Sequence, residues 1–277
     1  MMPRADYTID QEWERYSEAE HAIWRRLFER QSRLLPGRVT PEFLAGLEGL
    51  KIAGDGIPDF RCLSDILGRA TGWQVVAVPG LVPEAVFFEH LANRRFPATR
   101  WIRKPEQLDY LPEPDAFHDL LGHVPLLLNP VFADYMAAYG RAGVAAGAEG
   151  ATERLARLYW YTVEFGLIDG PEGLRIYGAG IVSSKSESLF CLDSPSPNRL
   201  GFDLERVMRT RYRIDDFQQT YFVIDDFDSL FRLVDRDLAA VCRDLAGRED
   251  LPADAVLPTD RVYQHGDGSH HRPSRAA

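Results

Sequence analysis

A mainly α-helical single domain with a few short β-strands is the fold that this 277-residue sequence predicts. Three observations carry it. Apolar residues recur at helical spacing in most long segments, and several of those segments open on a capping residue. Only short β-branched or aromatic runs interrupt that pattern. No internal repeat and no strong linker divides the chain, and its 45% hydrophobic and 11% aromatic content supports a sizeable core.

Residues 10–34 form the first predicted helix, with Trp13, Tyr16, Ile23 and Leu27 at helical spacing and Pro36-Gly37 as its stop. Thr40 and Pro41 read as the N-cap and first position of a helix reaching about residue 50. Asp59 opens a third helix, which closes near Gly72. Residues 73–78 are β-branched enough for a strand, ended by Pro79-Gly80, and residues 83–91 return to a helix. The Arg- and Pro-rich stretch 93–114 is expected to be irregular, followed by a helix over 113–122. Asn129-Pro130 starts another through about residue 146, with Phe132, Tyr135, Met136 and Tyr139 on one side, and residues 152–166 form the next. Then come a strand at 174–177, a tight turn at 177–180, helices at 184–192 and 203–211, a strand at 221–224 and an amphipathic helix at 226–246. The organisation expected is a helical extension over residues 1–50 packed on the domain, a catalytic domain over 51–248, and a tail over 249–277. The tail is rich in Pro, Asp and Arg and is expected to be disordered, its His270-His271 pair incidental.

A net charge of −10, spread without a basic block, argues against a nucleic-acid or anionic-membrane partner. Cys62, Cys191 and Cys242 are odd in number and far apart, which fits neither a disulfide framework nor a zinc knuckle. The opening Met-Met-Pro-Arg-Ala-Asp-Tyr lacks an apolar signal core, and no run of about 18 apolar residues occurs. The expectation is a soluble protein of the reduced cytoplasm.

The chemistry gathers on His118 and His123, five residues apart. On a regular α-helix, residue i+5 is turned about 140° from residue i, so the helix must loosen or end between them. Gly122 and Pro125 supply the break, and Leu120, Leu121, Val124 and Leu126 to Leu128 supply an apolar shell. Asp115 and Asp119 are placed to accept from a ring N–H and fix its tautomer. Glu164 lies in one of the most apolar stretches of the chain, where a carboxylate needs a partner. Two imidazoles and a carboxylate form a ligand set for Fe(II) with open positions. The spacing leaves alternatives open: a buried salt bridge from Glu164 to an arginine such as Arg103, a zinc hydrolase, or a metal-binding protein without turnover.

Three blocks go further. Residues 113–127 (EPDAFHDLLGHVPLL), 158–167 (LYWYTVEFGL) and 176–184 (IYGAGIVSS) resemble the signature blocks of the pterin-dependent aromatic amino acid hydroxylases. The likeness runs from about residue 58 to 226 with order and spacing kept, and residues 183–188 and 203–215 resemble the short bacterial branch, which acts on phenylalanine. The resemblance implies that family's catalytic-domain fold, with His118, His123 and Glu164 as Fe(II) ligands and Asp115 supporting them. It implies Arg103 on the substrate carboxylate, Pro114, Trp160 and Phe165 around the substrate ring, and Ser183 and Ser184 near the amino acid. For a tetrahydropterin (tetrahydrobiopterin or a bacterial analogue) it implies Gly80, Leu81, Val82, Phe87, Asp119, Ala156 and Tyr159. Pro97, Asp119 and Leu111 depart from the animal members, which place histidine, glutamate and threonine there. The implied activity is hydroxylation of L-phenylalanine to L-tyrosine with O2; the same chemistry on tryptophan, or at the 3-position of phenylalanine, is the alternative. About fifty residues precede the matching region and no heptad helix follows Ala246, so a monomer without a regulatory domain is expected.

Overall fold

The computed structural model describes residues 3–109, 111–147, 152–233 and 236–271. Its helices are α1 (Glu18–Leu34), α2 (Pro41–Gly49), α3 (Phe60–Ala70), α4 (Glu84–Ala92), α5 (Pro130–Gly147), α6 (Glu153–Tyr159), α7 (Ala179–Val182), α8 (Lys185–Asp193), α9 (Leu204–Arg209), α10 (Asp228–Phe231) and α11 (Leu238–Asp244). The strands are β1 (Gln74–Val78), β2 (Arg95–Thr99), β3 (Leu167–Ile168), β4 (Arg175–Ile176), β5 (Asn198–Gly201), β6 (Thr220–Ile224) and β7 (Val262–Gln264). β1 and β2 pair in parallel, with α4 as the crossover between them. The other five form one mixed sheet in the order β4-β3-β6-β5-β7. The helical prediction with few strands therefore holds, as one domain around one continuous core. No helix among the described residues is long and apolar enough to cross a membrane.

Several elements start where a side chain satisfies the first free N–H groups. Thr40 caps α2, Asp59 caps α3, Ser184 caps α8 and Asp203 caps α9. The expected helix over 10–34 is divided instead. Ser17 and Glu20 form a reciprocal capping box that starts α1 late. Ahead of it, Glu12 is left-handed at φ 50°, and the indole of Trp13 donates to the Ile57 carbonyl at 2.7 Å. Helix α1 covers the functional region: Trp24 is fully buried edge-on to Phe117 at 5.2 Å, and Gln31 donates to the Val182 carbonyl at 2.6 Å.

Four other expectations need correction. The stretch 93–114 contains β2, whose Pro97 is tolerated because the strand pairs on one side only. The tight turn at 177–180 runs directly into α7. The single helix over 226–246 is two helices, the second restarted by the Asp237 cap. The tail is not disordered over its described part: β7 pairs with β5, Leu251 donates to the Arg209 carbonyl at 2.7 Å, and Asp260 meets Arg206 at 3.0 Å with both side chains 6% exposed. Its local composition signals disorder because its partners are all distant in sequence.

Candidate metal centre

The five-residue histidine spacing is resolved by a π-helical turn over His118–His123. Its hydrogen bonds run from i to i+5, which brings residue i+5 back toward the face of residue i. The helix loosens rather than ending, and a 3-10 turn (Pro125–Leu128) follows at once. Both Nε2 atoms converge at 3.1 Å. A second π turn (Trp160–Glu164) extends α6, closed by the bond from the Phe165 N–H to the Trp160 carbonyl at 2.8 Å. It delivers Glu164, whose Oε1 lies 3.1 Å from His123 Nε2 and whose Oε2 lies 3.6 Å from His118 Nε2. Glycines let the chain close around that carboxylate. A Cβ on Gly180 would stand 3.2 Å from Glu164 Oε2, and one on Gly166 only 2.1 Å from the Tyr177 ring.

Electrostatics prepares these groups to receive a cation. Burial pushes the His118 pKa down to about 4, so the ring is neutral at neutral pH. Ser183 donates its hydroxyl to the Ala179 carbonyl at 2.8 Å and so accepts from His118 Nδ1 at 2.9 Å. That leaves the lone pair on Nε2, facing the centre. Burial opposes charge on His123, but Glu164 outweighs it and raises the pKa. Burial likewise opposes charge on Glu164, yet the two histidines hold its pKa below the usual carboxylate value. Two imidazoles and an ionised carboxylate on one side of a largely buried point suit a divalent first-row metal with open positions.

Asp115 takes a different role from a ring-N–H acceptor. Fully buried, it accepts from the Arg103 Nε and Nη2 at 2.9 and 2.8 Å, and from the backbone N–H groups of Arg103 and His118. One carboxylate therefore ties the arginine to the start of the ligand-bearing turn. This also removes the Arg103–Glu164 salt-bridge alternative. Asp119 does not reach a ring either: it accepts from the Thr99 N–H at 2.6 Å, and burial pushes its pKa up to about 7. The ring acceptor is Ser183, which the resemblance had placed beside the substrate.

On one flank the Trp160 and Phe165 rings lie 4.7 Å apart, with Pro114 half-buried and Ser184 spent on the α8 cap. Trp160 is held by Tyr212, stacked at 4.4 Å, and by Gln218, which accepts from its indole at 2.9 Å. Neither residue stood out in the sequence, since nothing local marks an aromatic among arginines as a support. On the other flank Phe87 meets Tyr159 edge-on at 5.6 Å, and Tyr159 lies nearly parallel to His123 at 6.1 Å. Ala156 precedes Tyr159 on the same short helix. Gly80, Leu81 and Val82 form the loop from β1 to α4, where Leu81 is 71% exposed and Gly80 faces the Trp101 indole. Phe96, 4.9 Å from His123, was missed because β2 was unread.

A family described as biopterin-dependent aromatic amino acid hydroxylase matches residues 7–245. The phenylalanine-4-hydroxylase of Chromobacterium violaceum is 62% identical over 262 residues, covering 95% of this chain and 88% of that protein. Among solved structures, phenylalanine hydroxylase of the same bacterium with bound iron(III) and 7,8-dihydrobiopterin superposes with TM-score 0.90 at 62% identity, over 94% of each chain. Its iron- and phenylalanine-bound form superposes with TM-score 0.90 at 59% identity, over 95% of this chain and 96% of that one.

Proposed function

The chain belongs to the biopterin-dependent aromatic amino acid hydroxylases, and on that premise we propose how its own residues divide the work. The activity is iron- and tetrahydropterin-dependent hydroxylation of L-phenylalanine to L-tyrosine with O2. When bound, ferrous iron and the pterin supply oxygen activation and two electrons.

His118, His123 and Glu164 hold the metal, and the convergence of their ligand atoms to 3.1–3.6 Å of one another is the observation that carries this assignment. Ser183 keeps the His118 Nε2 lone pair available. Arg103 binds the substrate carboxylate; Asp115 occupies its Nε and one Nη2 proton, which leaves the Nη1–Nη2 edge for a two-point grip. Trp160 and Phe165 aim the substrate ring, and the buried Leu120, Leu121 and Val124 exclude water. Gly80, Leu81, Val82, Phe87, Ala156 and Tyr159 form the pterin wall. Asp119 acts from behind the centre by fixing the end of β2. We further propose a cytosolic monomer, in keeping with three cysteines that are odd in number and far apart in the sequence.

Incubation with phenylalanine, Fe(II), O2 and a tetrahydropterin is expected to yield tyrosine, and Glu164→Ala to lose both iron and product. Meta-tyrosine, or faster turnover of tryptophan, would move the substrate assignment. Parental turnover by Glu164→Ala would remove the ligand assignment.

A further inference from the structure

Among the described residues, one more grouping brings histidine and carboxylate ligand atoms within 4.8 Å of one another: Asp216 with His270 and His271. The C-terminal segment is carried there by its backbone. Gly268 donates to the Ser196 carbonyl at 3.1 Å and the His270 N–H to the Ser196 hydroxyl at 3.0 Å. The two imidazoles stand perpendicular, 4.8 Å apart, and share one carboxylate: His270 Nε2 is 2.9 Å from Asp216 Oδ1 and His271 Nδ1 is 3.3 Å from Oδ2. The first of these carboxylate contacts is a hydrogen bond, and both are close to the 3.1 and 3.6 Å that separate Glu164 from its two histidines. Phe190 and Phe217, stacked at 4.3 Å, form an apolar floor beneath His270.

A second observation concerns His271 alone. Its side chain is 6% exposed, yet neither ring nitrogen makes a hydrogen bond. The approach of Nδ1 to Asp216 is near enough for attraction but not aligned for a bond. A neutral imidazole presents one N–H and one lone pair, and burying both without partners is costly. An ion pair of Asp216 with His270 does not relieve this. Arg213 does not relieve it either: it is 3.9 Å from Asp216 and is engaged by Asp215 through two bonds of 3.1 Å. A cation taking one nitrogen from each ring and an oxygen from Asp216 gives the His271 lone pair a partner. Two imidazoles and one carboxylate, with water as a fourth ligand, suit zinc.

We propose that Asp216, His270 and His271 form a second divalent-metal site, of the zinc class, which clips the C-terminal segment onto the 212–218 loop. That loop carries Tyr212 and Gln218, the two supports of Trp160. The site is structural, and a histidine pair that reads as incidental in the sequence becomes a tether.

The test uses the full chain with His118→Ala and His123→Ala, so that the iron centre cannot take the probe. After equilibration with zinc and desalting, elemental analysis is expected to find about one zinc per chain, lost when His271→Ala or Asp216→Asn is added. A folded double variant that retains no zinc, or retention unaffected by His271→Ala, overturns the proposal. If the double variant does not fold, the iron-loaded parent supplies the measurement. Zinc should then slow amide hydrogen exchange over residues 262–271 several-fold without releasing iron, and should have no effect in His271→Ala. Equal exchange with and without zinc in the parent overturns the proposal.

Discussion

At the residue scale, Asp115 does more than its position in the sequence suggests. It is a fully buried carboxylate bound to a guanidinium that is itself 92% buried at the side chain, and it also accepts from the backbone N–H of His118, a proposed metal ligand. Breaking such a pair from one side leaves a buried charge uncompensated, typically at about 3–5 kcal/mol. Asp115→Ala is therefore expected to destabilise the fold by roughly that amount. Arg103→Ala should separate the two functions of the pair, weakening phenylalanine binding by about tenfold or more while iron stays bound. Isothermal titration with phenylalanine and an iron assay check both, and unchanged substrate affinity in Arg103→Ala would remove its carboxylate role. The proposed ligands stand out in the sequence because histidines and a carboxylate in apolar surroundings have few uses. Their supports stand out less. Ser183 Oγ is 65 residues from the ring nitrogen that it fixes, and Asp119 bonds to β2, a strand defined by its pairing with β1 rather than by a local pattern.

At the element scale, both segments that carry the proposed metal ligands depart from α-helix at those residues, and each departure is packed against the segment 177–182. Gly166 and Gly180 offer a graded test. A methyl on Gly166 would lie 2.1 Å from the Tyr177 ring and 2.3 Å from the Thr162 carbonyl, too close for backbone to relieve. Gly166→Ala is expected to cost about 3 kcal/mol or more. A methyl on Gly180 would lie 3.0 Å from the end of the Phe165 ring, 3.1 Å from the Glu164 carbonyl oxygen and 3.2 Å from Glu164 Oε2, a misfit of a few tenths of an ångström shared by two side chains and the Glu164 backbone. Gly180→Ala should keep most of its stability, with a loss of about 1 kcal/mol, and instead weaken iron binding. Urea midpoints and iron titrations should therefore rank the two variants in opposite orders; equal iron affinity in Gly180→Ala and the parent would show that the carboxylate is not confined there. Capped helices were readable from local residues, as at Thr40, Asp59, Ser184 and Asp203. The strands β2, β3, β5 and β7 were not, because each is short and is defined by a partner elsewhere in the chain.

At the scale of the whole molecule, two carboxyl groups, one half-buried and one buried, act on stability in opposite pH directions. Asp250 is gripped by Arg157 at 2.6 and 2.7 Å, which lowers its pKa to about 2. Its contribution is full above the unfolded value of 3.8 and is lost as the pH falls toward 2. Glu187, on α8, is driven the other way. Burial raises its pKa from 4.5 to about 7, against the opposing bonds from the Tyr221 hydroxyl and the Gln218 backbone, with Asp216 adding to the rise. Between those two values the unfolded chain has released this proton and the folded chain keeps it. The folded state then binds more protons, so stability falls as the pH rises from 4.5 toward 7, and the loss is complete above 7. A shift of that size corresponds to roughly 3 kcal/mol. Glu187→Gln keeps an acceptor for Tyr221 and removes the titration. The stability of the variant relative to the parent should rise between pH 5 and pH 7.5, measured by urea unfolding of the iron-loaded proteins. Taking the difference between the two proteins cancels the groups around the metal, which titrate equally in both. A pH-independent difference would mean that Glu187 titrates normally and that its contact with Tyr221 is made by an ionised carboxylate.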